Sequence, residues 1–208
     1  MPLLKMNKVG NDSTWALWFI SENEQELTFI AMETCPEEIV SPLKRLEWLS
    51  GRALIKALLE KEGLEYQGLR KDEFGKPFLK EHDHHISISH SYPYVAIQIH
   101  KSESVGIDLE QPKDKLLKIA HRVLSSVELK DAGGDVIKHC VYWCAKEAMY
   151  KIYGKRGLHF ENQLSLTPFQ LQNSGSLKGA IHVNDFKSNV SLAYIIESEY
   201  VMVYTKFD

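Results

Sequence analysis

The feature that most constrains this chain is SVGIDLE, from Ser104 to Glu110, in which a short apolar run leads directly into two carboxylates. An apolar run of this kind is typical of a buried strand. Because successive side chains of a strand point to opposite faces, Asp108 and Glu110 would share one face and Leu109 would take the other. Two carboxylates on one face repel each other unless a hard cation or water screens them. The stretch therefore predicts either a metal site or a polar strand end before Pro112.

A second segment, WCAKEAMYK at residues 143–151, offers a third carboxylate, Glu147. In a helix, Trp143, Glu147 and Lys151 fall at successive i, i+4 positions, and Lys146 lies on the neighbouring stripe. By itself the segment is also explained by a glutamate–lysine pair on a solvated helix face. Combined with the acidic strand it predicts a magnesium site, because Mg²⁺ prefers one or two carboxylates together with water and substrate phosphates. The lysines would then offset the remaining phosphate charge.

The composition indicates an ordinary globular protein, with 44% hydrophobic and 25% charged residues in a chain of 208. The net charge is −3, whereas a nucleic-acid-binding protein usually has a strongly basic surface. The three cysteines are too few for a disulfide framework, and they favour a reducing compartment. The chain shows neither a signal-peptide pattern at its start nor an apolar run long enough to cross a bilayer. We therefore expect a cytoplasmic protein that binds neither nucleic acid nor membrane.

Hydrophobic periodicity predicts an α+β fold. The helical patterns cover residues 24–34, 43–62, 115–124, 126–130 and 136–153. The strand patterns cover residues 13–20, 85–89, 94–100, 164–166, 179–183, 190–196 and 200–205, with hairpins joining the second to the third and the sixth to the seventh. A helix-rich piece followed by strands occurs twice, which suggests two similar α+β halves at residues 1–102 and 103–208.

Between the long helix and the first hairpin, KDEFGKPFLK forms a turn centred on Gly75, with Lys76 held before Pro77, and its simplest interpretation is a solvated loop. A histidine cluster follows at residues 82–85, but it lacks metal-ligand spacing and indicates an exposed loop. His90, at the end of a strand pattern, is open to two interpretations: a hydrogen-bonded structural residue or a phosphate ligand.

The ordered set of motifs resembles the 4′-phosphopantetheinyl transferases. VGIDLE followed by WCAKEAMYK is similar to the signature pair of that family, an acidic (V/I)G(I/V)DxE strand and a WxxKEAxxK helix. The upstream segments GRALIKALL, FGKP and ISHS resemble the long, monomeric Sfp type more than the short trimeric type. The resemblance extends from about Arg45 to Leu158.

The resemblance implies transfer of the 4′-phosphopantetheine arm from coenzyme A to a serine of an apo acyl or peptidyl carrier protein, releasing adenosine 3′,5′-bisphosphate. It implies that Asp108, Glu110 and Glu147 bind Mg²⁺ together with the pyrophosphate. Glu147 would also be the base, directly or through a water. Lys151 would contact the pyrophosphate and stabilise the leaving phosphate, with Lys146 as a further candidate.

The resemblance also implies a binding site for the adenosine and its 3′-phosphate. The residues at matching positions are Arg52, Lys76, Ser89 and His90, with Arg45 as an addition. It implies a monomer of two halves related by a pseudo-twofold axis, with the active site in the cleft between them. Residues 1–102 would supply the adenosine contacts, and residues 103–208 the metal site.

The chain departs from the family pattern at two places: Gln111 replaces a basic residue that many relatives have, and GKRGL at residues 154–158 has one extra residue. Two other functions stay open. A magnesium-dependent hydrolase of a nucleotide or phosphoester would use the same ligands with water as nucleophile, and a catalytically silent protein would only bind the carrier. The sequence does not identify the carrier among those of fatty-acid, polyketide and peptide synthesis.

Overall fold

The computed structural model describes residues 3–207, with side chains from Lys5 onward. The chain divides into two compact units, residues 1–103 and residues 104–208. Each contains one antiparallel sheet and helices, so the α+β class predicted from the sequence is confirmed. Across the described residues, no helix is both long and apolar enough to cross a membrane.

The first unit consists of an antiparallel sheet of six strands and two helices, of which the second packs on the sheet and the first packs on the second. In chain order its elements are β1 (Leu3–Val9), β2 (Ser13–Phe19), α1 (Glu24–Ala31), α2 (Pro42–Lys61), β3 (Leu69–Lys71), β4 (Pro77–Leu79), β5 (His85–Ser91) and β6 (Tyr94–His100). The strands are ordered β1-β2-β6-β5-β4-β3. Helix α2 packs against β2, β5 and β6, and its apolar stripe forms a core with Trp18, Ile86 and Ile97.

The sequence explains where α2 begins and ends. Pro42 occupies the first turn, where its missing N–H costs no hydrogen bond. The helix ends at Lys61, and Gly63 follows in the left-handed region at φ +75°. Its buried positions, including Ile55, Leu58 and Leu59, recur at helical spacing.

The second unit is an antiparallel sheet of five strands, ordered β7-β11-β10-β9-β8. Its strands are β7 (Ile107–Glu110), β8 (Leu164–Leu166), β9 (Ser174–Val183), β10 (Phe186–Ile196) and β11 (Val201–Thr205). Its helices are α3 (Lys115–Ile119), α4 (Ser126–Ala132), α5 (Val136–Tyr153) and α6 (Phe160–Gln163), and a 3₁₀ turn follows α3. Helix α5 packs on the sheet, and its buried face forms the core with Leu192, Val201 and Val203.

Helix α5 and strand β7 approach each other so closely that a glycine is required between them. A Cβ built on Gly106 would lie 1.9 Å from the backbone oxygen of Ala148. Asp135 caps the start of α5 with a side chain that accepts a hydrogen bond from the backbone N–H of Lys138, and Gly154 follows the last helical residue in the left-handed region. The VGID segment is thus held directly against the WxxKEAxxK helix.

Several strands differ from the prediction. Strand β1 was not predicted, because Lys5, Asn7 and Lys8 interrupt its apolar pattern. The turn around Gly75 is flanked by the short strands β3 and β4 and is not an isolated loop. Strands β9 and β10 are longer than predicted, and they form a hairpin that ends at Val183 and Phe186. The terminal hairpin of β10 and β11 is confirmed.

Candidate functional site

Strand β7 places Asp108 and Glu110 on the side of the sheet that faces α5. Asp108 lies opposite Val203, and Glu110 lies opposite Val201, on the neighbouring strand. Cross-strand partners share a face of the sheet, and both valines belong to the core that α5 covers. The alternation of the sequence therefore turns both carboxylates toward the helix that carries the second motif.

Lys151, in the last turn of α5, connects the helix to this strand. Its ammonium nitrogen lies 2.7 Å from Oδ1 of Asp108 and donates a second hydrogen bond to the carbonyl oxygen of Ile107 at 2.8 Å. Asp108 is mostly buried, and the ammonium group offsets its charge. The same lysine is thus positioned to neutralise negative charge beside Asp108.

Glu147 lies one helical turn before Lys151, and the charges of Lys151 and Asp108 both act on its carboxyl group. Burial, and after it the negative charge of Asp108, raise the pKa of Glu147 to about 7 against the opposing effect of Lys151. A carboxyl group with a pKa near neutrality is suited to accept and release a proton at physiological pH. This property distinguishes Glu147 from an ordinary surface glutamate.

The three predicted metal ligands, Asp108, Glu110 and Glu147, are not grouped closely enough to form a metal site by themselves. Glu110 accepts a hydrogen bond from the backbone of Gln111 and lies 3.8 Å from the ammonium nitrogen of Lys115. Among residues 3–207, no three histidine, cysteine, aspartate or glutamate side chains are grouped closely enough to hold a metal ion. Asp108 and Glu147 nevertheless fit Mg²⁺, because this ion takes one or two carboxylates and completes its shell with water and phosphate oxygens.

The structure corrects the prediction that Lys146 contacts phosphate. Its ammonium nitrogen is fully buried and lies 2.6 Å from Oε2 of Glu128. It also donates hydrogen bonds to the carbonyl oxygens of Val123 at 2.8 Å and Phe160 at 3.0 Å. An ammonium group has three donors, and these contacts use all of them. Lys146 therefore stabilises the fold and has no donor left for a ligand.

The first unit contains a basic cavity of about 440 Å³ beside α2. Its lining residues are Ile39, Lys44, Glu47, Trp48, Gly51, Arg52, Leu69, Lys71, Gly75, Pro77, Ile88 and His90. The guanidinium carbon of Arg52 lies 3.9 Å from the centre of the Trp48 ring. The buried Nε of Arg52 has no hydrogen-bond partner among the described residues, and burial lowers the pKa of this side chain. A buried donor without a partner favours an anionic ligand.

His90 lines this cavity and contacts a buried carboxylate. Its Nδ1 is 3.1 Å from Oε2 of Glu47, and the ammonium nitrogen of Lys44 is 2.7 Å from the same oxygen. Lys44, Glu47 and Gly51 recur at helical spacing on α2, which is the sequence signal that could have placed them together. The prediction of the binding site did not include them.

The remaining predicted adenosine contacts are distributed unevenly. Lys76 stands between the cavity residues Gly75 and Pro77, and burial lowers its pKa. Ser89 is buried, and strand alternation turns it to the opposite face from His90. Arg45 donates to Glu24 and to the carbonyl oxygens at positions 36 and 39, so its guanidinium is committed to the fold.

An acidic strand held against a helix that carries a glutamate and a lysine defines a site suited to a phosphorylated ligand with a divalent cation. Residues 104–205 match the family model of the 4′-phosphopantetheinyl transferase superfamily. Over 150 residues the chain is 31% identical to 4′-phosphopantetheinyl transferase Sfp of Bacillus subtilis (strain 168), and the match covers 64% of each chain. It thus spans less than two thirds of that relative. The matched segment, residues 104–205, belongs to the 4′-phosphopantetheinyl transferase superfamily.

Proposed function

We propose that this protein transfers the 4′-phosphopantetheine arm of coenzyme A to a serine of an apo acyl or peptidyl carrier protein. The observation that carries the proposal is the placement of Lys151, whose ammonium nitrogen lies 2.7 Å from Oδ1 of Asp108, one helical turn after Glu147. All three residues lie in the segment that matches the superfamily model. The similarity to the Bacillus subtilis relative, a 4′-phosphopantetheinyl transferase, supports the same activity.

In the proposed reaction, the serine oxygen of the carrier forms a bond to the phosphorus that bears the pantetheine. The bond from that phosphorus to the bridging oxygen breaks, and adenosine 3′,5′-bisphosphate leaves. A serine hydroxyl is a poor nucleophile, so its proton needs an acceptor within hydrogen-bond reach. Glu147 takes this proton, directly or through a water.

The leaving group carries negative charge that the site must offset. Lys151 supplies an ammonium group beside Asp108, 2.7 Å away, and it would contact the pyrophosphate. Asp108 and Glu147, with Glu110 next along the strand face, would hold Mg²⁺. The ion would neutralise charge on the pyrophosphate oxygens.

The cavity beside α2 would receive the adenosine portion with its 3′-phosphate. Its volume of about 440 Å³ falls within the usual range for small-molecule sites. Arg52 offers a buried donor without a partner among the described residues, and His90, Lys44 and Lys71 add further basic groups. Lys76 would approach from the neighbouring turn. Ser89 keeps a proposed role as an adenosine contact from the other face of its strand.

We propose that the protein works as a monomer in the cytoplasm. Its three cysteines are unpaired and buried, which suits a reducing compartment. Light scattering of the purified protein tests the monomer directly, and a dimer at micromolar concentration would overturn it.

The activity is tested by incubating the protein with coenzyme A, Mg²⁺ and several apo carriers, and by weighing the carriers by mass spectrometry. We expect a mass gain of one phosphopantetheine arm, abolished in Glu147→Gln and Asp108→Asn. Asp185→Asn is the matched control, because Asp185 is exposed in the β9–β10 turn of the same unit. Coenzyme A consumed without a carrier would instead identify a hydrolase. Carrier binding without a mass gain would identify a silent binding protein.

A further inference from the structure

A carboxylate is the least expected member of the basic cavity beside α2. Glu47 lines this cavity together with Lys44, Arg52 and His90, yet only 6% of Glu47 is exposed. A buried negative charge next to a phosphate site would repel the ligand unless the charge were already compensated. The hydrogen-bond partners of Glu47 show whether its charge is compensated.

Both carboxylate oxygens of Glu47 are occupied. Oε2 contacts the Nδ1 of His90 at 3.1 Å and the ammonium nitrogen of Lys44 at 2.7 Å. Oε1 accepts the backbone N–H of Tyr92 at 3.2 Å. Burial alone would raise the pKa of Glu47, but the hydrogen bonds from His90 and Lys44 lower it to about 2. Glu47 is therefore ionised at every physiological pH and is compensated by its own neighbours.

The contact with Glu47 determines which nitrogen of His90 a ligand can use. A carboxylate acceptor fixes the proton of the histidine on Nδ1 and orients the ring. Nε2 is then the nitrogen left for a ligand, and 43% of the His90 side chain is exposed. When both nitrogens carry a proton, Nδ1–H donates to Glu47 and Nε2–H can donate to a phosphate oxygen.

We propose that Glu47 is a positioning residue for the 3′-phosphate: it orients His90 and Lys44 so that the cavity prefers a nucleotide with a 3′-phosphate over one without it. This inference rests on the proposed function, because it assumes that the adenosine portion of coenzyme A occupies the cavity. Glu47 itself does not touch the ligand. It acts through His90 and Lys44, which it contacts.

The inference differs from a purely structural role in what it predicts. Glu47 also connects α2 to the β5–β6 turn through Tyr92, and loss of that connection alone would weaken every ligand equally. A positioning role weakens only ligands that carry the 3′-phosphate. The ratio of the dissociation constants for adenosine 5′-monophosphate and adenosine 3′,5′-bisphosphate therefore separates the two roles.

Calorimetric titration of both nucleotides against the full chain measures this ratio without requiring catalysis. In Glu47→Gln we expect the dissociation constant of the monophosphate divided by that of the bisphosphate to fall by roughly tenfold or more. This is the effect of losing one charge-assisted hydrogen bond. His90→Ala should lower it similarly, and the double variant should add little, because both changes remove the same contact. Glu60→Gln is the matched control, since this exposed carboxylate lies on the same helix and does not line the cavity.

The outcomes separate this inference from the proposed function. An unchanged ratio in Glu47→Gln, with a wild-type protein that prefers the bisphosphate, overturns the role of Glu47 and leaves the transferase activity standing. A wild type without such a preference overturns both the cavity assignment and this inference, while the carrier assay still decides the activity. If Glu47→Gln does not fold, ¹⁵N spectra of wild-type His90 decide instead. Addition of the bisphosphate should shift Nε2 and leave Nδ1 bonded, and a shift at Nδ1 alone would contradict the proposal.

Discussion

The ammonium nitrogen of Lys146 lies 2.6 Å from Oε2 of Glu128, and neither side chain is more than 1% exposed. Glu128 also accepts the backbone N–H groups of Ser125 at 2.7 Å and Leu166 at 2.8 Å. The pair thus ties helix α5 to the start of α4 and to strand β8. Because Lys146 directly precedes Glu147, this buried network fixes the helical turn that carries the proposed base.

We predict that Lys146→Met destabilises the protein by about 3–5 kcal/mol, because Glu128 would be left as a buried charge without its cation. Urea unfolding at pH 7 measures the free energy. Lys101→Met is the control, since Lys101 pairs with Asp12 at the surface, and its free energy of unfolding should be unchanged. Equal losses in the two variants would show that the buried pair contributes no more to the free energy of unfolding than the surface pair does.

Gly106→Ala should be severely destabilising. The new Cβ would lie 1.9 Å from the backbone oxygen of Ala148, and a backbone atom cannot move aside as a flexible side chain can. We expect a loss of about 3 kcal/mol or more in the free energy of unfolding. Gly134→Ala, with no atom within 4 Å of the added Cβ, is the matched control in the same unit. A Gly106→Ala protein as stable as the control would disprove the close approach of α5 and β7.

Gly51→Ala should have the opposite effect on stability. No atom lies within 4 Å of a Cβ at this helical position, which lines the cavity beside α2. Replacing a glycine inside a helix by alanine gains about 1 kcal/mol. The added methyl group would nevertheless occupy ligand space, so we expect binding of adenosine 3′,5′-bisphosphate to weaken by about tenfold. Thermal unfolding and calorimetry together test this, and tighter or unchanged binding would contradict it.

Stability should fall in mild acid because of His100. Its Nδ1 accepts the backbone N–H groups of Ser102 at 3.1 Å and Glu103 at 2.8 Å, which requires that nitrogen to be unprotonated. Burial lowers the pKa of His100 below its usual 6.5. As the pH falls below 6.5, the unfolded chain takes up the proton first, so the contribution of His100 is complete above pH 6.5 and is lost below it.

Urea unfolding at pH 7.5 and pH 5 measures this dependence. His100→Gln should flatten the fall in stability between the two pH values, because the titrating group is gone. His182→Gln, a change at an exposed position of β9, should keep the full fall. An identical pH dependence in His100→Gln and wild type would assign the acid sensitivity to another group.

The local patterns of the sequence predicted much of the site. Alternation along residues 107–110 predicted that Asp108 and Glu110 share a face, and the helix over residues 136–153 was predicted at its observed bounds. Lys146 could not be predicted correctly in this way. It lies beside Glu147 in the motif and looks like a second phosphate ligand, and only the tertiary contact with Glu128 removes it from the site.

The cavity beside α2 was predicted only in part for a similar reason. Arg52 and His90 were expected at a common site, and both line the cavity. Glu47 was missed, because a glutamate in an amphipathic helix gives no sign that it is buried until the turn at Tyr92 is packed against it. The family resemblance identified Arg52 and His90, whereas the contact between Glu47 and His90 depends on the packing of distant segments.

Strand β1 forms one edge of the six-stranded sheet, and its exposed residues include Lys5, Asn7 and Lys8. An edge strand has backbone N–H and C=O groups that can pair with a strand of another molecule. Lysine side chains along the edge disfavour this intermolecular pairing. Lys5 and Lys8, which interrupt the apolar pattern of this strand, thus also protect the sheet against self-association. Resistance to aggregation and weak strand patterning have the same cause at this edge.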